Sequence, residues 1–443
     1  MLKALRKETP LQPLQPKHVS LDEAVELVQN ALAQEEDEEQ TQVFRAAAGG
    51  IPEAIAEAKR RLESIISREM IHVDDEMTSD AIAEEIFRRV WGLDKLQDLY
   101  DDPAVDEIRV LDSGRVYVSR RGKNTPVALQ LNQHEIERLI KRMIMHDVGV
   151  ALNESSPRLE AVRLDGSRLT ALCRPVARGF CFALRKHGTV EMTVPNLTRL
   201  GTLNERVWKA LSLLVRGRRN ILIIGPVNSG KTSLLRRLIG ELPANLSIRI
   251  LDLDNEIRAS EAYPDRDILE LEAHPEVGAP MKKLFESILR LSPDVIIVGE
   301  FRGVGEALEA IRACIRGHDG SMATAHFTSP AEAVRGTAML MLEEGLNLSL
   351  DMAQAQVARA FNVVVQMFSD STRGVKKIVS VTEIEESGGE ITYRELIRWE
   401  PFTADYLGPG KWVFENVPGP AACEKMRRYG VTKEEIREVF RPE

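Results

Sequence analysis

The 443-residue chain reads as an α/β protein whose second half builds a mostly parallel sheet covered on both faces. A small α+β domain and a helical N-terminal extension precede it. Three observations lead to this reading. A short apolar run, Ile221 to Ile224, ends in a glycine loop that opens a helix. Beyond it, strand-like runs alternate with helical segments. Ahead of it, alternating stretches surround glycine turns, the pattern of hairpins.

Leu21, Ala24, Val25, Val28 and Leu32 recur at helical spacing, and the acidic run Glu35 to Glu39 interrupts them. A second helix fits Pro52 to Ile66, with its alternating charges on a solvated face. Residues 1–85 are therefore expected to form a loosely attached, partly mobile helical extension. His72 to Glu76 resembles a metal-ligand cluster in composition only. Ala81 to Trp91 is an amphipathic helix stopped by Gly92. Glu107–Val110 and Arg115–Val118 flank the turn at Asp112-Ser113-Gly114, and a helix follows from His134 to Met145. Ala161–Leu164 and Ser167–Leu169 flank an Asp165-Gly166 turn, and Gly179–Lys186 continues the pattern. Residues 86–187 thus form the α+β domain, and turn chemistry places a linker at 188–203.

From 204 to 385 the expected strands are Ile221–Ile224, Ile248–Asp252, Val295–Val298, Met322–Ala325 and Asn362–Phe368, with helices between them. Lys377–Ile384 and Glu390–Trp399 read as a closing hairpin turning at Ser387-Gly388-Gly389. Residues 386–443 then form a hairpin and helix appendage, ending in a helix from Lys433 to Phe440.

Composition is that of a globular protein, 43% apolar and 29% charged, with a net charge of −9 that disfavours a dedicated nucleic-acid binder. No apolar run approaches the ~18 residues of a membrane span. Cys173, Cys181, Cys314 and Cys423 are scattered without metal-ligand spacing, which predicts reduced thiols in a cytoplasmic protein. Any membrane role would pass through a partner. The basic run Arg216, Arg218 and Arg219 lacks aromatic interleaving and sits at a helix end, so a solvated or dipole-matched role is expected.

The chemistry starts at Gly225, where Asn228, Ser229, Gly230, Lys231, Thr232 and Ser233 complete a G-x-x-x-x-G-K-[ST] loop between strand and helix. Glycines bring several N–H groups and the helix N-terminus onto one anion. Lys231 would reach the β- and γ-phosphates of a bound nucleotide, and Thr232 would place its hydroxyl on Mg²⁺. A later apolar strand, Val295–Val298, runs into Glu300. A carboxylate there would hold the water shell of Mg²⁺ or polarise an attacking water.

The segment LRLSPDVIIVGEFRG, followed by RGHDGSMATAHFTSPAEAV, is more specific than any single motif. With it the sequence resembles the secretion and pilus-motor ATPases of type II, type IV and Tad systems, most closely the CpaF-like branch. The resemblance runs from about Trp91 to Ile384 and includes LDKLQDLYDDPAVDEIRV, VYVSRRGK, SPRLEAVRLDGSRLTAL and FALRKH. It implies a RecA-like ATPase domain behind an N-terminal domain, with ATP between them and a ring, typically hexameric, working on an inner-membrane platform protein. It further implies that Glu300 is the Walker B acid, Glu256 the last acid of the Asp box and His326 the His-box histidine sensing the γ-phosphate. Arg163 and Arg185 match arginines that approach the phosphates from the N-terminal domain.

Two departures stand out. Val227-Asn228 replaces the family's usual Thr-Gly in the loop, although asparagine tolerates positive φ. The Asp box, usually Glu-Asp-x-x-Glu, has Asp252 at its first acid and Leu253 at its second, with Asp254 nearby. The catalytic carboxylate therefore lies among Glu256, Asp252 and Glu300. An ATP-hydrolysing motor is the leading expectation. A nucleotide-gated assembly module with little turnover and a conjugative DNA-transfer ATPase are the alternatives.

Overall fold

A computed structural model of the chain describes residues 17–34, 38–73, 77–120, 123–146, 151–186, 193–253, 256–274, 277–301 and 306–442. The chain divides into two compact units, with the boundary between residues 190 and 191.

In the first unit, β1 (Lys17–His18) pairs in parallel with β2 (Ile71–His72). Helices Leu21–Gln34, Glu38–Ala48, Pro52–Arg68 and Ser79–Val90 share a core that includes Val28, Phe44, Leu62, Ile66, Ile82 and Ile86. The expectation of a loosely attached extension is corrected here. These helices close a core of their own, and Gly49 O accepts the Asp165 N–H at 3.1 Å, tying them to the hairpin turn at 163–167. The acidic run was expected to interrupt the first helix; that helix ends at Gln34 and the next begins at Glu38, where negative charge suits the first turn. Of the His72–Glu76 cluster, residues 74–76 lie outside the described residues. His72 stacks against His18 with ring centroids 5.3 Å apart.

The same unit holds a sheet of β3 (Val105–Val110), β4 (Arg115–Arg120), β5 (Lys123–Gln130), β6 (Arg158–Val162), β7 (Arg168–Leu172) and β8 (Cys181–Arg185). The order is β5-β4-β3-β8-β7-β6, antiparallel throughout. The helix Gln133–Met143 is closed at its start by a reciprocal Asn132–Glu135 capping box and buries Ile136, Leu139, Ile140 and Met143. Strand β5 was not anticipated. It carries Pro126 and stands at the sheet edge, where a missing N–H is tolerated.

The second unit is built on one large sheet. Its strands are β9 (Ile221–Ile224), β10 (Ile248–Asp252), β11 (Ile268–Glu272), β12 (Val295–Val298), β13 (Met322–Ala325), β14 (Val363–Asp370), β15 (Val375–Ser387), β16 (Glu390–Pro401) and β17 (Gly410–Phe414). Among the described residues the order is β11-β10-β12-β13-β9-β14-β15-β16-β17, parallel through β14 and antiparallel beyond. Every residue of β9, β10, β12 and β13 is buried, which explains the continuous apolar runs of β9 and β12. Ile221 and Ile223 face a core shared with Leu211, Leu214, Leu234, Leu235 and Leu238. Leu222 and Ile224 face the other side, with Ile311, Val334, Val357 and Phe361.

The expected appendage at 386–443 is also corrected. Strand β15 runs through that boundary, β16 and β17 extend the same sheet, and Met426, Ile436 and Phe440 of the last two helices enter the core beneath β9. The expected linker is shorter as well. Thr193 caps a helix, Val194–Arg199, whose Leu197 belongs to the second unit's core, as does Leu203. Arg218 and Arg219, expected to be solvated or dipole-matched, are buried. Arg219 Nη2 lies 3.2 Å from Glu383 Oε1, and Arg218 Nη1 donates to Asp319 O at 3.2 Å. No described helix is long and apolar enough to cross a membrane.

Candidate active site

The loop after β9 turns on residues able to take left-handed backbone angles. Gly230, which caps the helix Lys231–Ile239, has φ 92° and Asn228 has φ 61°. Asparagine therefore occupies the conformation for which glycine is otherwise needed, and the departure at 228 is absorbed locally. Val227 is 65% exposed and packs into no core. Gly225 is required for another reason, close approach. A Cβ there would stand 2.5 Å from Met367 O and 2.9 Å from Ser229 Oγ. Ser229 is fully buried, and among the described residues its hydroxyl finds no hydrogen-bond partner. Such a polar group inside a loop of converging N–H groups fits an anion, since burial without a partner is costly.

Lys231 is buried at the head of the helix. Its Nζ donates to Gly225 O and Pro226 O, both at 3.1 Å, and lies 3.1 Å from His326 Nδ1 and 3.8 Å from Glu300 Oε1. His326 Nδ1 faces both the Lys231 ammonium and, at 3.2 Å, the Gly225 carbonyl, so its tautomer decides whether it accepts from the lysine or donates to the carbonyl. His326 Nε2 contacts Glu300 Oε1 directly. Both residues come from strand ends. Glu300 follows β12 and His326 follows β13, and β13 lies between β12 and β9 in the sheet. The phosphate loop, the acid and the histidine thus meet at the carboxyl ends of neighbouring parallel strands, where ligands bind in open α/β sheets.

The Asp box joins them from β10. Asp252 is buried, and its Oδ2 accepts the N–H groups of Glu256 (2.7 Å) and Ile257 (3.0 Å). A Cβ on Gly299 would stand 2.5 Å from Asp252 Oδ1, so the residue before Glu300 leaves room for this carboxylate. Glu256 in turn accepts from Thr232 Oγ1 at 3.3 Å. Asp252 orients a turn, and that turn delivers Glu256 to the threonine of the phosphate loop. Asp254 lies outside the described residues.

Thr324 was missed from sequence. It is fully buried within β13, and its hydroxyl donates to Gly299 O at 2.7 Å, holding the turn that presents Glu300. A threonine inside an otherwise apolar buried strand was the available signal.

The two N-terminal arginines differ. Arg163 is buried in the first unit. Its guanidinium donates to Ala48 O (2.8 Å) and Asp165 Oδ2 (3.1 Å) and stacks on Tyr100 at 5.1 Å. Its charge is engaged within that unit, holding the helical layer to the sheet. Arg185 is the exposed last residue of β8, in register with Glu107 and Arg168.

The family described as "Type II/IV secretion system protein" matches residues 92–390. Among curated relatives, the conjugal transfer protein TrbB of Rhizobium radiobacter is 26% identical over 291 residues, covering 65% of this chain and 87% of TrbB. The type IV secretion system protein PtlH of Bordetella pertussis is 30% identical over 180 residues, covering 38% of this chain and 51% of PtlH. The solved structure of the Legionella pneumophila ATPase DotB aligns with a TM-score of 0.50 at 14% identity, covering 79% of this chain and 86% of DotB. At that identity the likeness bears on fold, and it agrees with an N-terminal domain followed by a RecA-like domain. With the family match spanning more than half its length, the chain belongs to the type II/IV secretion system protein family.

Proposed function

We propose that the chain is an ATP-hydrolysing motor of a pilus or secretion machine. The carrying observation is the convergence of Lys231, Thr232, Glu256, Glu300 and His326 at one end of the parallel sheet. ATP sits with its phosphates in the N–H cradle from Gly225 to Ser233, and Lys231 exchanges its loop carbonyls for phosphate oxygens. Thr232 and, through water, Glu300 offer the hard oxygen donors that suit Mg²⁺, which supplies neutralisation of phosphate charge when bound. Glu256, oriented by Asp252, polarises the attacking water. His326 links Lys231 to Glu300 and so senses the γ-phosphate. Arg185 supplies charge to the phosphates from the N-terminal unit of the same or a neighbouring copy, as a finger does in other phosphoryl-transfer enzymes.

In this reading the protein forms a homo-oligomeric ring of the CpaF-like branch, typically six copies. It is cytoplasmic, held at the membrane through a platform protein, and makes no direct contact with nucleic acid. The likeness to TrbB favours a second reading, a conjugative DNA-transfer ATPase built on the same engine. Phosphate release and ADP titration test the assignment together. Glu256→Gln and Arg185→Ala each keep ADP affinity within a few-fold and lose turnover by about 10²-fold or more. Wild-type turnover in Glu256→Gln would remove that carboxylate from the chemistry. Tight ATP binding by the wild-type chain without hydrolysis would favour a nucleotide-gated module over a motor.

A further inference from the structure

We infer that Lys376, on β15, is a second phosphate-contacting cation of this site, delivered by the hairpin that covers the phosphate loop. The inference rests on the phosphate-loop reading proposed above and adds a residue that no motif contains.

The β14–β15 hairpin presses directly on the loop. A Cβ on Gly225 would meet Met367 O at 2.5 Å, and one on Gly230 would meet Met367 Cε at 3.5 Å and Lys376 Cδ at 3.7 Å. The register carries the hairpin past the phosphate loop. Gln366 stands beside Ile224, the last residue of β9, and Lys376 faces Ser369, three residues further on. The lysine stem thus runs alongside Gly230, the residue that opens the helix Lys231–Ile239, and the ammonium lies only two bonds beyond Cδ. Two independent features mark this spot for an anion. Among the described residues the helix start has no side-chain cap, and the hydroxyl of Ser229, fully buried one residue earlier, has no partner.

A nucleotide di- or triphosphate carries more charge than one lysine balances. A cation arriving from a separate strand adds to that balance without altering the loop. It also makes the antiparallel extension of the sheet, β15 to β17, part of the nucleotide site. The competing role is packing, in which the aliphatic stem covers Gly230 and the charge contacts no phosphate.

Methionine keeps most of the stem and removes the charge, whereas arginine keeps the charge. Full-length wild type, Lys376→Met, Lys376→Arg and Lys231→Ala are titrated with ADP by calorimetry and melted in parallel. Lys376→Met weakens ADP binding about tenfold, the effect of one charge-assisted hydrogen bond. Lys376→Arg restores most of it, and the melting temperature without nucleotide stays at the wild-type value. Wild-type ADP affinity in Lys376→Met overturns the inference. So does equal weakening in the Met and Arg variants, or a lowered melting temperature. If wild type fails to bind ADP, or Lys231→Ala binds it equally well, the phosphate-loop reading itself falls.

Discussion

At Asp252 a single carboxylate oxygen accepts two backbone N–H groups, those of Glu256 and Ile257. Removing it strands both donors in a buried turn, at about 1–3 kcal/mol for each donor left without a partner. The larger consequence is positional, because Glu256 loses the turn that holds it against Thr232. Misplacing a reacting group by about 1 Å costs on the order of 10²-fold in rate. Asp252→Ala is therefore expected to lower turnover by about that factor while ADP affinity stays within a few-fold of wild type. Phosphate release and ADP titration on one preparation check this. Unchanged turnover with only a lowered melting temperature would confine Asp252 to stability. At this scale the sequence was informative about types and silent about partners. Lys231, Thr232, Glu256, Glu300 and His326 stand in recognisable order, and the geometry brings them together. That Arg163 is engaged by Ala48 and Asp165 was not legible, because its partners come from a helical layer whose docking leaves no periodic mark.

Elements were legible where burial on two faces forces a continuous apolar run, as in β9 and β12, and where one buried face gives alternation around a glycine turn, as in β3 and β4. Two strands at sheet edges were missed. Strand β11 mixes acids with apolar residues at one edge of the large sheet, and β5 contains Pro126 at an edge of the smaller one. The C-terminal strands misled for a different reason, since nothing local says that a hairpin adds to a sheet rather than standing apart. A buried ion pair helps fasten that extension. Arg219 contacts Glu383 Oε1 at 3.2 Å, and Glu383 Oε2 accepts the Gly419 N–H at 2.7 Å. Burial pushes the Glu383 carboxyl up and the Arg219 guanidinium down, so neither charge is comfortable without the other. Breaking such a pair costs about 3–5 kcal/mol when the surviving charge is left buried without a partner; Arg394 Nε, 3.6 Å from Glu383 Oε2, places Arg219→Ala at the lower end. Arg219→Ala and Glu383→Ala should each lower stability by about that amount. The double variant should lose clearly less than their sum. Denaturant unfolding of the three variants measures this, and strictly additive losses would show that the two charges do not depend on each other.

Across the whole molecule, two compact units carry different parts of the proposed work. The second unit brings the proposed catalytic residues to the strand ends of a single sheet, and the first presents Arg185 at the end of β8. The expected linker at 188–203 begins near the division between the units, and a helix at Val194–Arg199 occupies part of it. The integration of the N-terminal helices and of the C-terminal strands into their units was not legible, because both depend on contacts between segments distant in sequence. The central claim is that a nucleotide held at the Gly225–Ser233 loop is hydrolysed there. ATP turnover by the full-length chain, measured as phosphate release beside ADP titration for wild type and Lys231→Ala, tests it most directly. The account predicts turnover in wild type and a loss of about 10²-fold or more in the variant, with weakened ADP binding and an unchanged fold. Wild-type turnover in Lys231→Ala would contradict it.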